Sequence, residues 1–524
     1  IDQEVTAINQ LSMEAQQQEL LELNPDYAHQ QQQAKNQRKE QRSSLPELPN
    51  AKMGEVTTRI PPEPSKYNHL GHAMSFLINY LYAKKYEGKA ILRFDDTNPE
   101  KSSQEYVDAV FEDIVNFLEI QPDEIKYASD NMQTYYDYAQ ELINKDLAYV
   151  CSCPQEDIKT KRRNGEDCPH KSHSREKNQE LWEEMKQGTL EEGSHVLRLN
   201  IDMKHKNAVM RDPVIYRLSY QPHYKTQTQY KVWPMYDFES AIEEGLCKVT
   251  HVLRSNEFDQ RIELQNYIAK LFDFPEVSYK HYGRYNVIGA TTQGREIRAL
   301  IETGEYIGWD DPRLVTIRAL RRRGIVKEAF YELAQSIGLS KTQTNLDFST
   351  IAAINRSILD NQAKRLFGVQ NPKIIEIKNI PPTLTEFQLS YHPTQQGGER
   401  KLLVSTHYFI EQEDHDSLAV GDYVRLKDAM NIKKIDDNTY EYISQTHEEF
   451  KELQTKGTII HFVPKNGQER EVNVLMPNTS MKKLLCETNI TSLNEGEVIQ
   501  FERWAFCRLD KKTDKEIIFW FTHE

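Results

Sequence analysis

The stretch Arg59-Ile60-Pro61-Pro62-Glu63-Pro64-Ser65-Lys66-Tyr67-Asn68-His69-Leu70-Gly71-His72 decides how the rest of the chain is read. Before it, Glu55 to Ile60 is a short run with β-branched residues; after it, Phe76, Leu77, Tyr80 and Leu81 recur at helical spacing. The segment therefore reads strand, Pro-rich loop, helix. That order puts His69, Gly71 and His72 at a helix N-terminus, where free backbone N–H groups and the positive end of the helix dipole suit an anionic phosphate chain. Gly71 lets a ligand approach the backbone closely. Two imidazoles one turn apart can donate hydrogen bonds to phosphate oxygens as charge builds there. On its own, a His-x-x-His pair fits ordinary core or surface histidines equally well.

Working outward, Lys89 to Phe94 reads as a second strand running into Asp95-Asp96-Thr97-Asn98-Pro99, which gives the β-α-β start of a parallel sheet. In such sheets ligands sit beyond the carboxyl ends of the strands, where Asp95 falls. Asp96 and Thr97 are expected to cap the helix that follows.

These motifs resemble those of the class I aminoacyl-tRNA synthetases, in the wording of the glutamyl and glutaminyl enzymes. Their first signature is a Pro-rich loop, Ser-Gly-Tyr, then His-Ile-Gly-His, which His69-Leu70-Gly71-His72 matches. Lys66 departs from it, standing where the family usually has glycine. Arg93 to Pro99 is similar to the second fingerprint, in which a carboxylate at the position of Asp95 holds the amino group of the bound amino acid. The resemblance implies an α/β fold: a Rossmann-type class I synthetase core with an inserted acceptor-binding domain, a helical linker domain and C-terminal anticodon-binding β-barrels.

Size and composition permit this. A chain of 524 residues is long enough for three or four domains, and 38% hydrophobic with 28% charged residues describes a soluble globular protein. No apolar run approaches the roughly 20 residues of a membrane span, and no secretory signal precedes the first motif, so a cytoplasmic setting is expected. The six cysteines suggest no disulfide framework. A net charge of -14 does not exclude nucleic acid, because phosphate is bound by a local basic surface. Arg318, Arg321, Arg322 and Arg323 form one such cluster, which reads either as a phosphate-binding surface or as a solvated helix face.

Residues 1–54 are rich in Gln, Glu and Asn and read as a polar helical or partly disordered extension without chemistry. Residues 55–150 form the first half of the core and 151–224 the insertion. There, Cys151, Cys153, Cys168 and His170 have the spacing of a structural zinc site made of two tight loops, with incidental reduced cysteines as the other reading. His173 is a substitute ligand. The resembled synthetases carry a zinc-binding knuckle at this place.

The second half of the core, residues 225–290, is expected to resume the sheet at Tyr230 to Phe238, followed by Val249 to Arg254, a buried-strand pattern ending in a cation. That cation bears on specificity. Taking an unpaired carboxylate out of water costs several kcal/mol, so a site for an acidic amino acid needs guanidinium partners, whereas a site for its amide needs none. In the family, glutamyl enzymes have arginine at the position of Arg254 and glutaminyl enzymes usually an uncharged residue. Arg59 and Arg254 then give two cations for two carboxylates, with Tyr236 and Ser240 as hydrogen-bonding walls. Which arginine meets the side-chain carboxylate the sequence leaves open.

Residues 291–370 read as the helical linker, opened by a degenerate form of the second class I signature at Thr291 to Arg295. Gly294 occupies the position of the lysine that stabilises the pyrophosphate leaving group, and Arg295 is the nearby cation in sequence. Losing one such contact would cost on the order of 100-fold in rate. Residues 371–524 alternate in short runs between Gly, Pro and Asn clusters, which reads as all-β barrels; the resemblance implies two anticodon-binding β-barrels, the ending of archaeal and eukaryotic glutamyl enzymes and of glutaminyl enzymes.

The resemblance thus implies an ATP-dependent glutamate-tRNA ligase of archaeal or eukaryotic type, using Mg²⁺ and a structural Zn²⁺. Its partners are glutamate and tRNA(Glu), with tRNA(Gln) left open. His69, His72 and Arg295 are the expected catalytic residues, with Gly71 beside them at the ATP; Arg59, Asp95, Tyr236, Ser240 and Arg254 are expected to bind glutamate. A glutaminyl enzyme is the alternative, disfavoured by Arg254. A noncatalytic tRNA-binding relative is the other, suggested by Gly294.

Overall fold

A computed structural model describes residues 45–393, 398–453 and 456–524. The expected polar extension lies outside the described residues over its first 44 positions. Strand β1 (Thr57–Ile60) runs parallel to β2 (Lys89–Phe94) and β2 parallel to β3 (Glu124–Tyr127), with α1 (Leu70–Lys85) crossing between the first two. Ala73, Met74, Leu77 and Ile78 of α1 are fully buried and Leu70 and Phe76 nearly so. A helix apolar on several faces belongs in a core rather than on a surface. Its one buried amide, Asn79, donates to Leu253 O at 3.1 Å and so hooks α1 to the second half of the core.

The helix after β2, α2 (Gln104–Phe111), is capped by Ser103, whose hydroxyl accepts from Tyr106 N. The expectation that Asp96 and Thr97 cap it is therefore corrected. Asp96 is buried and accepts from Ser129 N, Ser129 Oγ and Tyr224 OH, which ties the end of β2 to β3 and to the far side of the insertion. The capping residue lies further along because Asn98 to Ser102 turn back first, with Ser102 N donating to Asn98 O.

The insertion is an antiparallel sheet in the order β4 (Ala148–Cys151), β5 (Val196–Leu199), β6 (Val214–Leu218), β7 (Val232–Pro234). Here the sequence reading is corrected again: Tyr230 to Phe238 does not resume the core sheet. Its strand, β7, pairs with β6 of the insertion, and Tyr236 begins α3 (Tyr236–Leu246). An apolar run fixes that a strand is buried, not which sheet receives it, and Trp233 packs fully buried in the insertion's core.

The core resumes at β8 (His251–Ser255), which after α4 (Ile262–Leu271) is joined in parallel by β9 (Ser278–Tyr282). Thr250 fastens β8 to β1: its amide donates to Thr57 O and its hydroxyl accepts from Thr57 N at 2.8 Å. Beyond lie α5 (Gly294–Glu302) and α6 (Ile317–Arg322), then two longer helices, Lys327–Ile337 and Phe348–Leu359.

The C-terminal region holds two seven-stranded sheets, but they do not follow one another simply along the chain. Strands Lys364–Leu366 and Gly368–Val369 form the two edges of the sheet otherwise built from Arg470–His523, and only Phe367 separates them, so that sheet curls back on itself. The other sheet, within Pro372–Pro464, is inserted into it. The described residues contain no helix long and apolar enough to cross a membrane.

Candidate active site

A cavity of about 900 Å³ opens between the carboxyl ends of β1, β2 and β8 and the N-terminus of α1. Its lining brings together Arg59, His69, Gly71, His72, Asp95, Tyr236 and Arg254 from five separate segments. Ser240 and Arg295 are not in the lining. Ser240 is buried with a hydroxyl that has no hydrogen-bond partner among the described residues, and Arg295 is exposed on the first turn of α5.

At one end, His69 is the N-cap of α1. Its Nδ1 accepts from Gly71 N at 3.1 Å, and His72 Nδ1 accepts in turn from His69 N at 3.2 Å, a reciprocal cap. The rings stack with centroids 3.8 Å apart. Burial, then the charges of Lys66 and Arg284, push His69 down to about 3, and burial holds His72 well below the usual histidine range. Both rings are therefore neutral, and because each spends Nδ1 as an acceptor, each carries its proton on Nε2. Two N–H donors remain for an anion. Gly71 serves this arrangement differently from the sequence reading: a Cβ there would meet His69 Cε1 at 3.0 Å and Nδ1 at 3.2 Å, so the glycine makes room for the capping ring.

At the other end the charges are fixed. Arg93 holds Asp95 through Nε (2.7 Å) and Nη2 (3.3 Å) and reaches Glu244 at 3.4 Å. Arg59 Nε donates to the other Glu244 oxygen at 2.8 Å. Although burial opposes its charge, the two guanidinium groups keep Glu244 below the usual carboxylate range. Glu239, buried without such a partner, is pushed well above it by burial and by the nearby charge of Asp95.

Arg254 differs from both other arginines. It is buried, and its hydrogen bonds go only to neutral groups: Nε to His281 Nε2 (3.1 Å), Nη1 to Tyr236 OH (3.2 Å) and Nη2 to Gln265 Oε1 (2.8 Å). Among the described residues no carboxylate lies within ion-pairing distance of it. Asp237 accepts from Gln265 Nε2 at 3.2 Å and Asp259 bonds His281 Nδ1, so both acceptors are held from behind. The sequence reading missed Gln265, His281 and Glu244, and assigned no role to Arg93, which it quoted only as the start of the second fingerprint; Arg93 stands out as a charge inside the apolar run Ala90 to Phe94.

Away from the cavity, the cysteine cluster is assembled. Cys151 and Cys168 sulfurs are 3.4 Å apart, Cys153 and Cys168 3.6 Å, and His170 Nδ1 is 3.4 Å from both Cys153 and Cys168. All four donor atoms lie within 4.8 Å of one another. Those separations match the edges of a tetrahedron with Zn–S bonds of about 2.3 Å. Ser152 Oγ meets His170 Nε2 at 3.0 Å and so presents Nδ1 to the thiols, and the buried Arg198 guanidinium stands 4.0 Å from Cys151 Sγ, where it would offset thiolate charge. The donor set fits the ion.

Most of the arginine cluster is engaged by partners within the fold, although Arg321 remains exposed. Arg321 pairs with Glu112, Arg322 binds Asp510 through two nitrogens and Asp310 through a third, and Arg323 is buried against Phe348 and donates to Pro312 O and Thr522 O. Arg318 lies over Tyr67. Arg322 and Arg323 thus bolt α6 to the C-terminal sheet, while the residues just before it are stitched to the first signature by Leu70 N to Val315 O (3.0 Å) and Ile317 N to Asn68 O (2.9 Å).

Comparison with known proteins agrees along the whole chain. The family described as tRNA synthetases class I (E and Q), catalytic domain, matches residues 55–361, and two models of its anticodon-binding domain match 363–451 and 436–510. A glutamate-tRNA ligase of Pyrococcus furiosus is 37% identical over 99% of this chain and 91% of its own length. One of Nitrosopumilus maritimus is 37% identical over 98% and 90%. A solved glutamate tRNA ligase from Elizabethkingia meningosepticum, in complex with its amino acid, covers 59% of this chain and 70% of its own at 17% identity and a TM-score of 0.39, too distant to transfer positions.

Proposed function

The chain belongs to the class I tRNA synthetases for glutamate and glutamine, and from that premise we propose that it is a glutamate-tRNA ligase whose amino-acid end is set by Arg254. The observation that carries the choice of glutamate is a buried guanidinium with neutral partners only. Leaving a buried cation uncompensated costs several kcal/mol, and a ligand carboxylate removes that cost while an amide does not. Arg254 takes the side-chain carboxylate and Asp95, held rigid by Arg93, takes the ammonium. Arg59, whose Nε is committed to Glu244, presents its remaining nitrogens to the α-carboxylate region, and Tyr236 walls the space between the arginines.

In the first step an α-carboxylate oxygen attacks the α-phosphorus of ATP, the bond from that phosphorus to the bridging oxygen breaks, and pyrophosphate leaves with the electron pair. No proton moves. His69 and His72 donate from Nε2 to phosphate oxygens, and their neutrality makes them hydrogen-bond donors rather than counter-charges. Mg²⁺ bound with the nucleotide would neutralise part of its charge. In the second step a ribose hydroxyl at the 3′ end of tRNA attacks the glutamyl carbonyl carbon, the bond from that carbon to the phosphate oxygen breaks, AMP leaves with the electron pair, and the hydroxyl proton passes to a phosphate oxygen of the departing AMP. Cys151, Cys153, Cys168 and His170 hold a structural zinc that fixes the loops of the insertion; a chelator should lower Tm without changing the affinity for ATP. The reading places the protein in the cytoplasm with the translation machinery.

The test is aminoacylation of both glutamate and glutamine tRNAs with both amino acids. Glutamate on tRNA(Glu) is expected; charging with glutamine in preference to glutamate would overturn the assignment. The same assay decides whether tRNA(Gln) is also a substrate. Gly294 favours a second reading, a noncatalytic tRNA-binding relative, which retained tRNA binding without pyrophosphate exchange on either amino acid would select.

A further inference from the structure

Two departures from the family's motifs, far apart in the chain, touch in space. Lys66 stands where the first signature usually has glycine, and Gly294 stands where the second has its lysine. A Cβ on Gly294 would lie 3.2 Å from Lys66 Cβ and 3.4 Å from Lys66 Cδ, so the lysine stem lies across the face of the glycine. The backbone of Gly294 is not in the left-handed region, and nothing in its conformation asks for glycine. What distinguishes the position is that any side chain there would press on Lys66, whose stem would have to give by a few tenths of an ångström to admit it.

The lysine head is at the phosphate end of the cavity. Lys66 lines it, together with Thr292 and Gln293 just before α5, and its charge acts on both His69 and His72. Among the described residues Lys66 makes no ion pair; Glu63 offsets part of its charge from nearby, while Arg284 and Lys101 add like charge, and all three also line the cavity. A half-buried ammonium without a direct ion pair, next to two N–H donors, suits a polyanion.

We propose that Lys66 supplies the charge on the leaving pyrophosphate that a lysine at position 294 supplies in related enzymes, the two positions having exchanged residues. This rests on the synthetase reading given above. The ammonium donates hydrogen bonds to β- and γ-phosphate oxygens while the bond between the α-phosphorus and the bridging oxygen breaks; it gains and loses no proton. Arg295 is not required for it.

The test is tRNA-dependent ATP–pyrophosphate exchange with glutamate, on the full chain. Wild type must show exchange: if it shows none, the synthetase reading falls and this assignment with it. Given exchange, Lys66→Ala should slow it by about 100-fold or more, while the affinity for glutamyl-sulfamoyl-adenosine, which lacks the β- and γ-phosphates, and the Tm stay unchanged. Gly294→Lys alone should also slow exchange, because the new side chain collides with Lys66. The double change Lys66→Gly with Gly294→Lys should recover most of the rate lost in Lys66→Ala. Exchange in Lys66→Ala within about twofold of wild type, a larger loss in Arg295→Ala than in Lys66→Ala, equal loss of sulfamoyl-adenosine binding, or a double variant no faster than Lys66→Ala would each overturn the proposal.

Discussion

At the end of the cavity proposed for the amino acid Arg59 and Arg93 are locked onto Glu244 and Asp95, and Arg254 is held rigidly by neutral partners; at the end proposed for the phosphates two neutral imidazoles sit beside a lysine that has no ion-pair partner among the described residues. The first arrangement fixes charge before the ligand arrives, which suits discrimination between an acid and its amide. The second fixes hydrogen-bond direction and leaves charge to a flexible side chain, which suits a group whose charge grows and departs during the reaction. Preorganisation is thus divided between the ends: electrostatic at one, directional at the other.

The sharpest way to break this contrast is at Arg93. Replacing it with methionine leaves Asp95 without its partner and Glu244 with half of its own, and should lower stability by about 3–5 kcal/mol, read by denaturant unfolding. A loss under about 1 kcal/mol would mean that the network is not under charge constraint. Next comes Arg254→Cys, which should lower kcat/KM for glutamate by about 100- to 1,000-fold, the equivalent of about 3–4 kcal/mol, with a smaller loss of stability than Arg93→Met. Unchanged glutamate use in that variant would remove the basis for the amino-acid assignment.

At the phosphate end, His72→Ala removes one donor and one half of the reciprocal cap, and should slow exchange by roughly 10- to 100-fold while costing about 1 kcal/mol of stability. The smallest effect expected is on pH. His69 titrates near 6.5 when unfolded and is held at about 3 when folded, so the unfolded chain takes up the proton first as pH falls. The stability contribution is whole above about pH 6.5 and is lost progressively toward pH 3, so the Tm advantage of wild type over His69→Gln should shrink across that window. Exchange itself should show no histidine-like step between pH 6 and 8. Such a step, absent from His69→Gln, would show that the ring is charged in use.

The two ends were also unequally legible in the sequence. That Arg254, Asp95 and the histidines share one cavity could be read because each sits in a contiguous motif. Cys151, Cys153, Cys168 and His170 were readable for the same reason, since metal spacing is local. Ser240 was not, because one helical position decides whether a hydroxyl faces the cavity or the core. Lys66 and Gly294 each look like a loss when read alone, and only the contact between their segments shows that one occupies the space left by the other. The arginines of α6 fail similarly: a run of cations is visible in sequence, while Asp510, the C-terminal partner that consumes Arg322, is known only from the fold. Strand membership failed at Val232–Pro234 because burial patterns are shared by all sheets.

The most direct measurement of the central claim is a crystal structure of the full chain with glutamyl-sulfamoyl-adenosine. The account predicts the glutamyl side-chain carboxylate within about 2.7–2.9 Å of the Arg254 guanidinium, with the Gln265 contact kept and Asp95 on the ammonium. A side-chain carboxylate bound elsewhere, with Arg254 still engaged only by His281, Tyr236 and Gln265, would contradict it.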